Sequence, residues 1–419
     1  MVSVNLLNTD NFSVAESLED EETPREVIVP LSSANVPGFQ EGSIYTNSTL
    51  SAGGQHTCAI LDDGSVSCWG SNSYGQLGDG TYTDRNTPTQ TLSLGTGRTA
   101  VALSSGGYHT CAILDDGTVS CWGRNLAGGL GEGTTTQRNT PTQTSSLGTG
   151  RTAVAISSGF YHTCAILDDG SVSCWGWNYF GQLGDGTTTD RNTSTQISSL
   201  GTGRTAIAIT SGVAHTCAIL DDGYVSCWGN GGNGRLGNGG TSSLATPTLT
   251  SSLGANRTAV AISSGGGFTC AILDDGSVSC WGYGGNGRLG NGTTTDRNTP
   301  TQTSTFGTGR TTVAISSGSG FTCAILDNNS VSCWGENNRG QLGDGTTTHR
   351  YDPTQASGLG TGRTAVAIYP GDDHTCAILD DGTVSCWGWN YYGQLGDGTT
   401  TQRTTPTQTS SLGTTTNTR

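Results

Sequence analysis

A unit of 53 residues occurs seven times in this chain of 419 residues, and no other feature constrains the fold as strongly. Each copy contains His-Thr-Cys-Ala-Ile-Leu-Asp-Asp-Gly-Ser-Val-Ser-Cys-Trp-Gly or a close variant, which begins at residue 56 in the first copy. Two cysteines stand ten residues apart in every copy, and these pairs account for all 14 cysteines. The pairs are Cys58 and Cys68, Cys111 and Cys121, Cys164 and Cys174, Cys217 and Cys227, Cys270 and Cys280, Cys323 and Cys333, and Cys376 and Cys386.

The repeated stretch is predicted to form a β-hairpin. Residues 62–64 read Asp-Asp-Gly, a turn signal, between two runs of mostly apolar and small residues. A three-residue loop with Gly64 in the left-handed conformation would place Cys58 opposite Cys68, whereas a two-residue loop would place Ala59 there. We favour the first register because it explains why the cysteines are ten residues apart. Both faces of the hairpin are largely apolar, so we expect both to be covered.

Four strand candidates in each repeat predict an all-β, seven-bladed β-propeller with one four-stranded blade per 53-residue repeat. In the second copy they are residues 99–104, 108–114, 118–122 and 140–144, with a glycine-rich loop at 128–133. The fourth candidate contains proline, which favours an edge position. An open solenoid of the same units is the alternative.

The predicted domains are a propeller over residues 49–419 and an acidic N-terminal arm over residues 1–48. The arm holds eight acidic residues against one arginine, and it is expected to be partly disordered or to donate a strand. Two short apolar runs, residues 2–7 and 27–31, have the length of edge strands. Docking of the arm on a neighbouring copy would produce a homo-oligomer or filament.

The two ends of the array suggest how the ring closes. Copies two to seven begin with Arg-Thr-Ala-Val-Ala-Ile or a close variant, but the first copy has an unrelated stretch there. We therefore expect the strand near Thr49 to pair within the blade of the C-terminal copy.

The net charge of −15 and the absence of lysine argue against nucleic acid as a partner, because phosphate neutralisation requires a basic surface. No run of 18 apolar residues occurs, so no membrane span is predicted. The first ten residues show no basic region followed by an apolar core, so no signal peptide is predicted there.

The repeat resembles that of the regulator of chromosome condensation family. The resemblance rests on the motif above and on Asn-x-x-Gly-Gln-Leu-Gly-Asp-Gly-Thr, which follows it, and it covers residues 49–412. It implies a seven-bladed propeller. The family includes an exchange factor for a small GTPase, a plant ultraviolet photoreceptor and many binding modules without catalysis.

Two departures separate this chain from the specialised members. The exchange factor works through a wedge that interrupts the repeat, whereas the 53-residue step here has no insertion. The photoreceptor uses a tryptophan cluster beside its Gly-x-x-His-Thr position, where this chain has no tryptophan. The resemblance therefore implies neither activity here.

The paired cysteines are predicted to form one disulfide in each blade. Cytosolic proteins rarely keep seven such pairs, whereas secreted proteins do. Buried free thiols are the main alternative, and zinc is a weaker one because the spacing lacks short ligand pairs. The disulfides favour an extracellular or cell-surface location, with a cytoplasmic location as the alternative.

No catalytic, metal or cofactor site is predicted. Five copies carry histidine at one position where Phe268 and Phe321 stand in the fifth and sixth copies, so the position is interpreted as packing plus one hydrogen bond. The Asp-Asp-Gly turns offer too few oxygens for calcium, and the glycine-rich loops lack the lysine of a phosphate loop. The chain is therefore not predicted to be an enzyme.

Aromatic residues in two loops are the candidate partner-binding residues. They lie after the hairpins of the third and seventh copies and are Trp177, Tyr179, Phe180, Trp389, Tyr391 and Tyr392. These features predict a non-enzymatic propeller, extracellular, that binds protein or glycan partners or assembles with itself through the arm. The alternative is an intracellular guanine nucleotide exchange factor or scaffold.

Overall fold

The computed structural model describes residues 50–412, which form seven sheets of four antiparallel strands arranged in a ring. Each sheet is one repeat, with its strands in sequence order, so the predicted seven-bladed propeller is confirmed. Blades 1 to 4 comprise β1 (Leu50–Ala52), β2 (His56–Ile60), β3 (Val66–Gly70), β4 (Arg85–Gln90), β5 (Ala100–Ser105), β6 (His109–Leu114), β7 (Val119–Gly123), β8 (Arg138–Gln143), β9 (Ala153–Ser158), β10 (His162–Leu167), β11 (Val172–Gly176), β12 (Arg191–Gln196), β13 (Ala206–Ser211), β14 (His215–Leu220), β15 (Val225–Gly229) and β16 (Leu244–Leu249). Blades 5 to 7 comprise β17 (Ala259–Ser264), β18 (Phe268–Leu273), β19 (Val278–Gly282), β20 (Arg297–Gln302), β21 (Thr312–Ser317), β22 (Phe321–Leu326), β23 (Val331–Gly335), β24 (Arg350–Gln355), β25 (Ala365–Pro370), β26 (His374–Leu379), β27 (Val384–Gly388) and β28 (Arg403–Gln408). Short 3₁₀ turns at Gly232–Gly234 and Gly285–Gly287 follow the third strands of blades 4 and 5.

The hairpin register is the one that the sequence predicted. Cys58 pairs with Cys68, and the Leu61 amide donates to the Ser65 carbonyl to close a three-residue turn. Gly64 in that turn has φ +76°, which glycine adopts at little cost. The same register recurs in all seven blades, so each hairpin brings its two cysteines face to face.

The hydrophobic core is divided into seven clusters, each between two neighbouring blades. In the first, Ile60 and Leu77 of blade 1 pack with Ala112, Leu114 and Trp122 of blade 2. Every strand of the central hairpins is therefore buried on both faces, as the two apolar faces predicted. The first strands of the blades contact one another around the centre, and the fourth strands, such as β4, are the exposed edges.

The glycine-rich loop of each blade packs closely against the next blade. A Cβ atom on Gly75 would lie 2.5 Å from the Asn139 Cα atom, and one on Gly78 would lie 2.8 Å from the indole nitrogen of Trp122. The Gly80 amide donates to the Asn139 carbonyl at 2.9 Å. These loops have to be glycine-rich because they approach a neighbouring blade more closely than side chains allow.

The expected exchange of strands at closure is wrong. Strand β1 pairs with β2 of its own repeat, and β25 to β28 of the seventh repeat complete their own sheet. The ring closes instead by side-to-side contacts, in which Thr57 bonds to His374 at 2.9 Å and Trp69 donates to the Gln394 carbonyl at 2.9 Å. The altered first copy still supplies Leu50, which is buried between blades 1 and 7, so its strand needs no partner from the other end.

The predicted arm, residues 1–48, lies outside the described residues, as do its two candidate strands. No helix within residues 50–412 is long and apolar enough to cross a bilayer.

Candidate interaction face

The two ends of the blades differ in the loops that they present. His56 at the start of β2 pairs with Gly70 at the end of β3, so residues 53–55 and 71–84 emerge at the same end of blade 1. We call this end of the ring, with the equivalent loops of the other blades, the loop face. The Asp-Asp-Gly turns emerge at the opposite end, the turn face. On the turn face, arginines such as Arg98 pair with the turn aspartates.

The loop face of blades 1 to 3 carries a continuous run of aromatic rings, which we call the aromatic patch. Neighbouring rings lie 4.7 to 6.3 Å apart between centroids, mostly edge to face. Tyr179 is 68% exposed at the outer end, whereas Phe160 lines the central cavity of the ring. The patch consists of Tyr74, Tyr108, Phe160, Tyr161, Trp177, Tyr179 and Phe180.

Arg124 lies among the rings of the aromatic patch. Its guanidinium carbon is 4.7 Å from the centroid of Tyr74, 5.4 Å from that of Tyr108 and 5.0 Å from that of Tyr161. It also donates to the Tyr161 hydroxyl at 3.1 Å. Within residues 50–412 Arg124 forms no ion pair, and its guanidinium contacts the aromatic rings instead. Its positive charge is therefore available to a partner.

A second, smaller aromatic group lies on the loop face of blade 7. Trp389 stacks on Tyr391 with centroids 6.2 Å apart and contacts Tyr392 edge to face at 5.4 Å. Arg339 of blade 6 lies over the Trp389 ring at 5.5 Å. Tyr391 is 67% exposed.

The structure gathers the six candidate partner-binding residues into two separate groups, one on blade 3 and one on blade 7. The blade 3 group belongs to a larger patch, to which the sequence argument did not assign Tyr74, Tyr108, Phe160, Tyr161 or Arg124. A signal for three of them existed, because Tyr108 and Tyr161 stand directly before the repeated histidine and Phe160 stands one residue earlier. The hairpin register places that position beside the loop that follows the third strand.

The repeated histidines are structural. Each is buried, and its Nε2 lies 2.8 to 2.9 Å from a threonine hydroxyl of the next blade, as in His56 with Thr110. The Thr110 hydroxyl donates to the Gln76 carbonyl, so it accepts from His56 Nε2–H. Burial lowers the pKa of His56, His162 and His374 to about 3 and that of His109 to about 4. Their position agrees with the interpretation as packing plus one hydrogen bond.

Acidic groups lie where the loop face meets the central cavity. Burial and the neighbouring Asp373 raise the pKa of Asp372 to about 7. The Asp372 amide donates to the Gly53 carbonyl across the junction of blades 7 and 1 at 3.3 Å. The loop face is therefore uneven, with the Arg124 guanidinium among the rings of blades 1 to 3 and carboxyl groups at blade 7.

All fourteen cysteines are joined within their own blades, and none is free in the described residues. The Cα atoms of each pair are 4.1 Å apart, and the side chains are inaccessible to solvent. The predicted disulfides are therefore present in the structure, one per blade.

Comparison with known families agrees with this architecture. A family model described as an RCC1-like domain matches residues 10–324. The chain belongs to the RCC1-like domain family. Models of the regulator of chromosome condensation repeat also match this RCC1-like propeller, at residues 313–341 with 364–394 and at residues 328–378 with 381–417.

Two curated relatives show the range of proteins that contain such a propeller. The human E3 ubiquitin-protein ligase HERC2 is 34% identical over 354 residues, which are 84% of this chain and 7% of the ligase. The ultraviolet-B receptor UVR8 of Arabidopsis thaliana is 33% identical over 312 residues, which are 74% of this chain and 70% of the receptor. The RCC1-like propeller thus spans only a small part of the ligase.

Solved structures with little sequence identity share the fold. Yeast RCC1 (Prp20), solved bound to Kap60, superposes with a TM-score of 0.74 at 17% identity, covering 96% of this chain and 91% of that one. Human WBSCR16 gives a TM-score of 0.71 at 22% identity, covering 80% and 87%.

Proposed function

We propose that this RCC1-like propeller is a non-enzymatic binding protein that engages a protein partner with its loop face. The aromatic patch carries the proposal. Tyrosine, tryptophan and arginine are the residues that most often dominate binding energy at protein interfaces, and here they form one continuous surface. Blade packing already fixes many of these rings, so little conformational entropy would be lost on binding.

The relatives are consistent with binding of proteins. Yeast RCC1 was solved in complex with Kap60, and that likeness extends to the whole propeller. The HERC2 relative is named as a ligase, but this chain matches only 7% of its length, so its name gives no reason to propose ligase activity here. The exchange-factor alternative draws on the family alone, and no insertion interrupts the blades over residues 50–412.

The proposed location is extracellular or at the cell surface. Seven buried disulfides support it, because reducing compartments seldom maintain such bonds. The absence of lysine adds no information about the compartment, so the cysteines alone carry this part of the proposal.

The binding proposal is tested by site-specific photo-crosslinking. Benzoylphenylalanine replaces Tyr179 in the aromatic patch or, as a matched control, Tyr224 on the turn face, which is 54% exposed. Both proteins are exposed to the extracellular fraction of the source. We expect a discrete crosslinked protein from position 179 and none from position 224.

The partner found in this way is then purified and its affinity measured for Arg124→Ala and Trp177→Ala variants. Loss of a desolvated interface residue of these types costs about tenfold in affinity or more. Equal crosslinking from both faces, or unchanged affinity of both variants, would reject the aromatic patch as the binding surface.

Self-assembly through the acidic arm, residues 1–48, is a separate proposal. Deleting residues 1–40 and measuring mass by light scattering tests it. A loss of oligomer on deletion is expected, and monomers before and after deletion would reject it.

A further inference from the structure

Blades 4 and 5 depart together from the loop design of the other blades. Most blades have a buried asparagine two residues after the end of the third strand, as in Asn72, which donates to Asp79 at 3.0 Å. Blades 4 and 5 have Gly231 and Gly284 at the asparagine position and neutral Asn238 and Asn291 at the aspartate position. The same two loops thus lose a side chain and a negative charge.

The same two loops also exchange a buried glutamine for arginine. Gln76, Gln182, Gln341 and Gln394 occupy this position in four other blades, and Arg235 and Arg288 occupy it in blades 4 and 5. Of these departures, the two arginines add positive charge at one place, because Arg235 and Arg288 line the same cavity.

The two arginines are held in the same way. Arg235 Nε donates to the Gly232 carbonyl at 2.9 Å, and Arg288 Nε donates to the Gly285 carbonyl at 3.0 Å. Arg235 Nη1 donates to the Gly266 carbonyl, and Arg288 Nη1 donates to the Ser319 carbonyl, each at 3.4 Å. Arg235 Nη2 also donates to Asn233 Oδ1 at 3.4 Å, Arg288 Nη2 donates to Glu336 at 3.3 Å, and both arginines line a cavity of about 260 Å³.

Glycine keeps this cavity open. Gly267 lies against the Arg235 guanidinium, and a Cβ atom on Gly267 would be 3.4 Å from Arg235 Nη2. Tyrosine occupies the equivalent position in blades 2 and 3, as Tyr108 and Tyr161. The cavity is lined by Val213, Asn233, Arg235, Gly266, Gly267, Tyr283, Arg288 and Ser319.

Acidic neighbours compensate these charges only in part. Glu336 lies 3.3 Å from Arg288, whereas Arg235 forms no ion pair among the described residues. Asp296 is occupied by hydrogen bonds from Asn233 and from the Gly284 amide. Burial lowers the pKa of both arginines from the ordinary value, yet guanidinium groups remain protonated in proteins. A half-buried cation without a counter-ion is unfavourable, so an anion in the cavity would stabilise it.

We propose that the cavity between blades 4 and 5 binds a tetrahedral oxyanion, a sulfate or phosphate group, between Arg235 and Arg288. Four oxygens can accept from two guanidinium groups at once, with the hydroxyls of Tyr283 and Ser319 also on the lining. The group could be a free ion or an ester carried on a larger molecule. This site is separate from the aromatic patch and does not rest on the proposed function.

Calorimetric titration of the full chain with inorganic sulfate and inorganic phosphate, at ionic strength held constant with sodium chloride, tests the proposal. We expect saturable binding of at least one of the two anions, and weaker binding of acetate. Arg235→Gln and Arg288→Gln should each weaken binding about tenfold or more. Glutamine is native to this position in four blades, so these variants retain the fold. Glu336→Gln should tighten binding, because it removes a neighbouring negative charge.

Arg297→Gln is the matched control, since it removes the same charge from the outer strand of blade 5, outside the cavity. It should bind as the unmodified chain does. Titration with a monosaccharide sulfate ester distinguishes a free ion from an ester on a larger molecule. If the ester binds more tightly than inorganic sulfate, the natural ligand is an ester; if the two bind equally, it is the free ion. No saturable binding of either inorganic anion, or equal binding by the Arg235→Gln and Arg288→Gln variants, would overturn the proposal.

Discussion

At the scale of single residues, five buried histidines join neighbouring blades through neutral rings. Burial lowers their pKa values below the unfolded value of about 6.5, so the unfolded chain takes up protons in mild acid that the folded chain does not. The free energy of unfolding should therefore fall as pH decreases below about 6.5. Asp372, with a pKa of about 7, and Asp373, whose pKa burial also raises, act in the opposite direction, but they are two groups against five.

Replacing one histidine should reduce this acid sensitivity. For His109→Phe, we expect the slope of unfolding free energy against pH, measured by urea titration between pH 5.0 and 6.5, to decrease by about 1 kcal/mol per pH unit. Phenylalanine is the natural residue at this position in two blades, as Phe268 and Phe321. An unchanged slope for His109→Phe would contradict a neutral buried ring.

At the scale of loops and strands, close approach between blades decides which glycines are essential. Gly78 and Gly97 have nearly the same backbone, with φ +69° and +70°. A Cβ atom on Gly78 would collide with the Trp122 ring, whereas nothing lies within 4 Å of one on Gly97. A comparison of variants at Gly78 and Gly97 therefore separates the free-energy cost of backbone strain from that of close contact between blades.

Alanine at each of these glycines should have different effects. Gly97→Ala is expected to lower the free energy of unfolding by about 1 to 2 kcal/mol, the cost of a left-handed conformation. Gly78→Ala carries the same strain and also displaces a buried indole, so we expect an additional loss of about 1 to 3 kcal/mol. Urea unfolding of the two variants measures the difference. Equal losses would show that the loop does not lock onto the next blade in solution.

The sequence predicted the strands, the hairpin register and the cysteine pairs because these depend on contacts within one repeat. It predicted only part of the aromatic patch. Tyr74 meets Tyr108 across two blades, and Arg124 meets both through the packing of blades, which no spacing along the chain reveals. The arginine cavity was missed for the same reason, although the parallel departures of two repeats were visible in the sequence.

At the scale of the whole molecule, the junction between blades 1 and 7 is built like the others. The prediction of strand exchange was wrong because the altered sequence before the first hairpin was interpreted as the absence of a first strand in that blade. Strand β1 forms there nonetheless, because it pairs with β2 and buries Leu50. Thr57 at the junction makes the same two contacts as Thr110 between blades 1 and 2, one with a histidine and one with a carbonyl.

The equivalence of the junction can be measured. Thr57→Val and Thr110→Val each leave a buried histidine donor without its partner, so each should lower the free energy of unfolding, measured by urea titration, by about 1 to 3 kcal/mol. The Gln394 carbonyl keeps the Trp69 donor in Thr57→Val, whereas the Gln76 carbonyl loses the Thr110 donor, so we expect the loss for Thr57→Val to be no larger than that for Thr110→Val. A negligible loss for Thr57→Val alone would indicate a ring that is open at this junction.

Each blade is cross-linked by its own disulfide, and the proposed extracellular location depends on these seven bonds. In the entropic account each ten-residue loop contributes about 2 to 3 kcal/mol to stability. The direct measurement is the intact mass of the protein, isolated from its source, after alkylation in denaturant. We expect no added alkyl groups without reductant and fourteen after reduction. Fourteen groups added without reductant would contradict the presence of the seven disulfides.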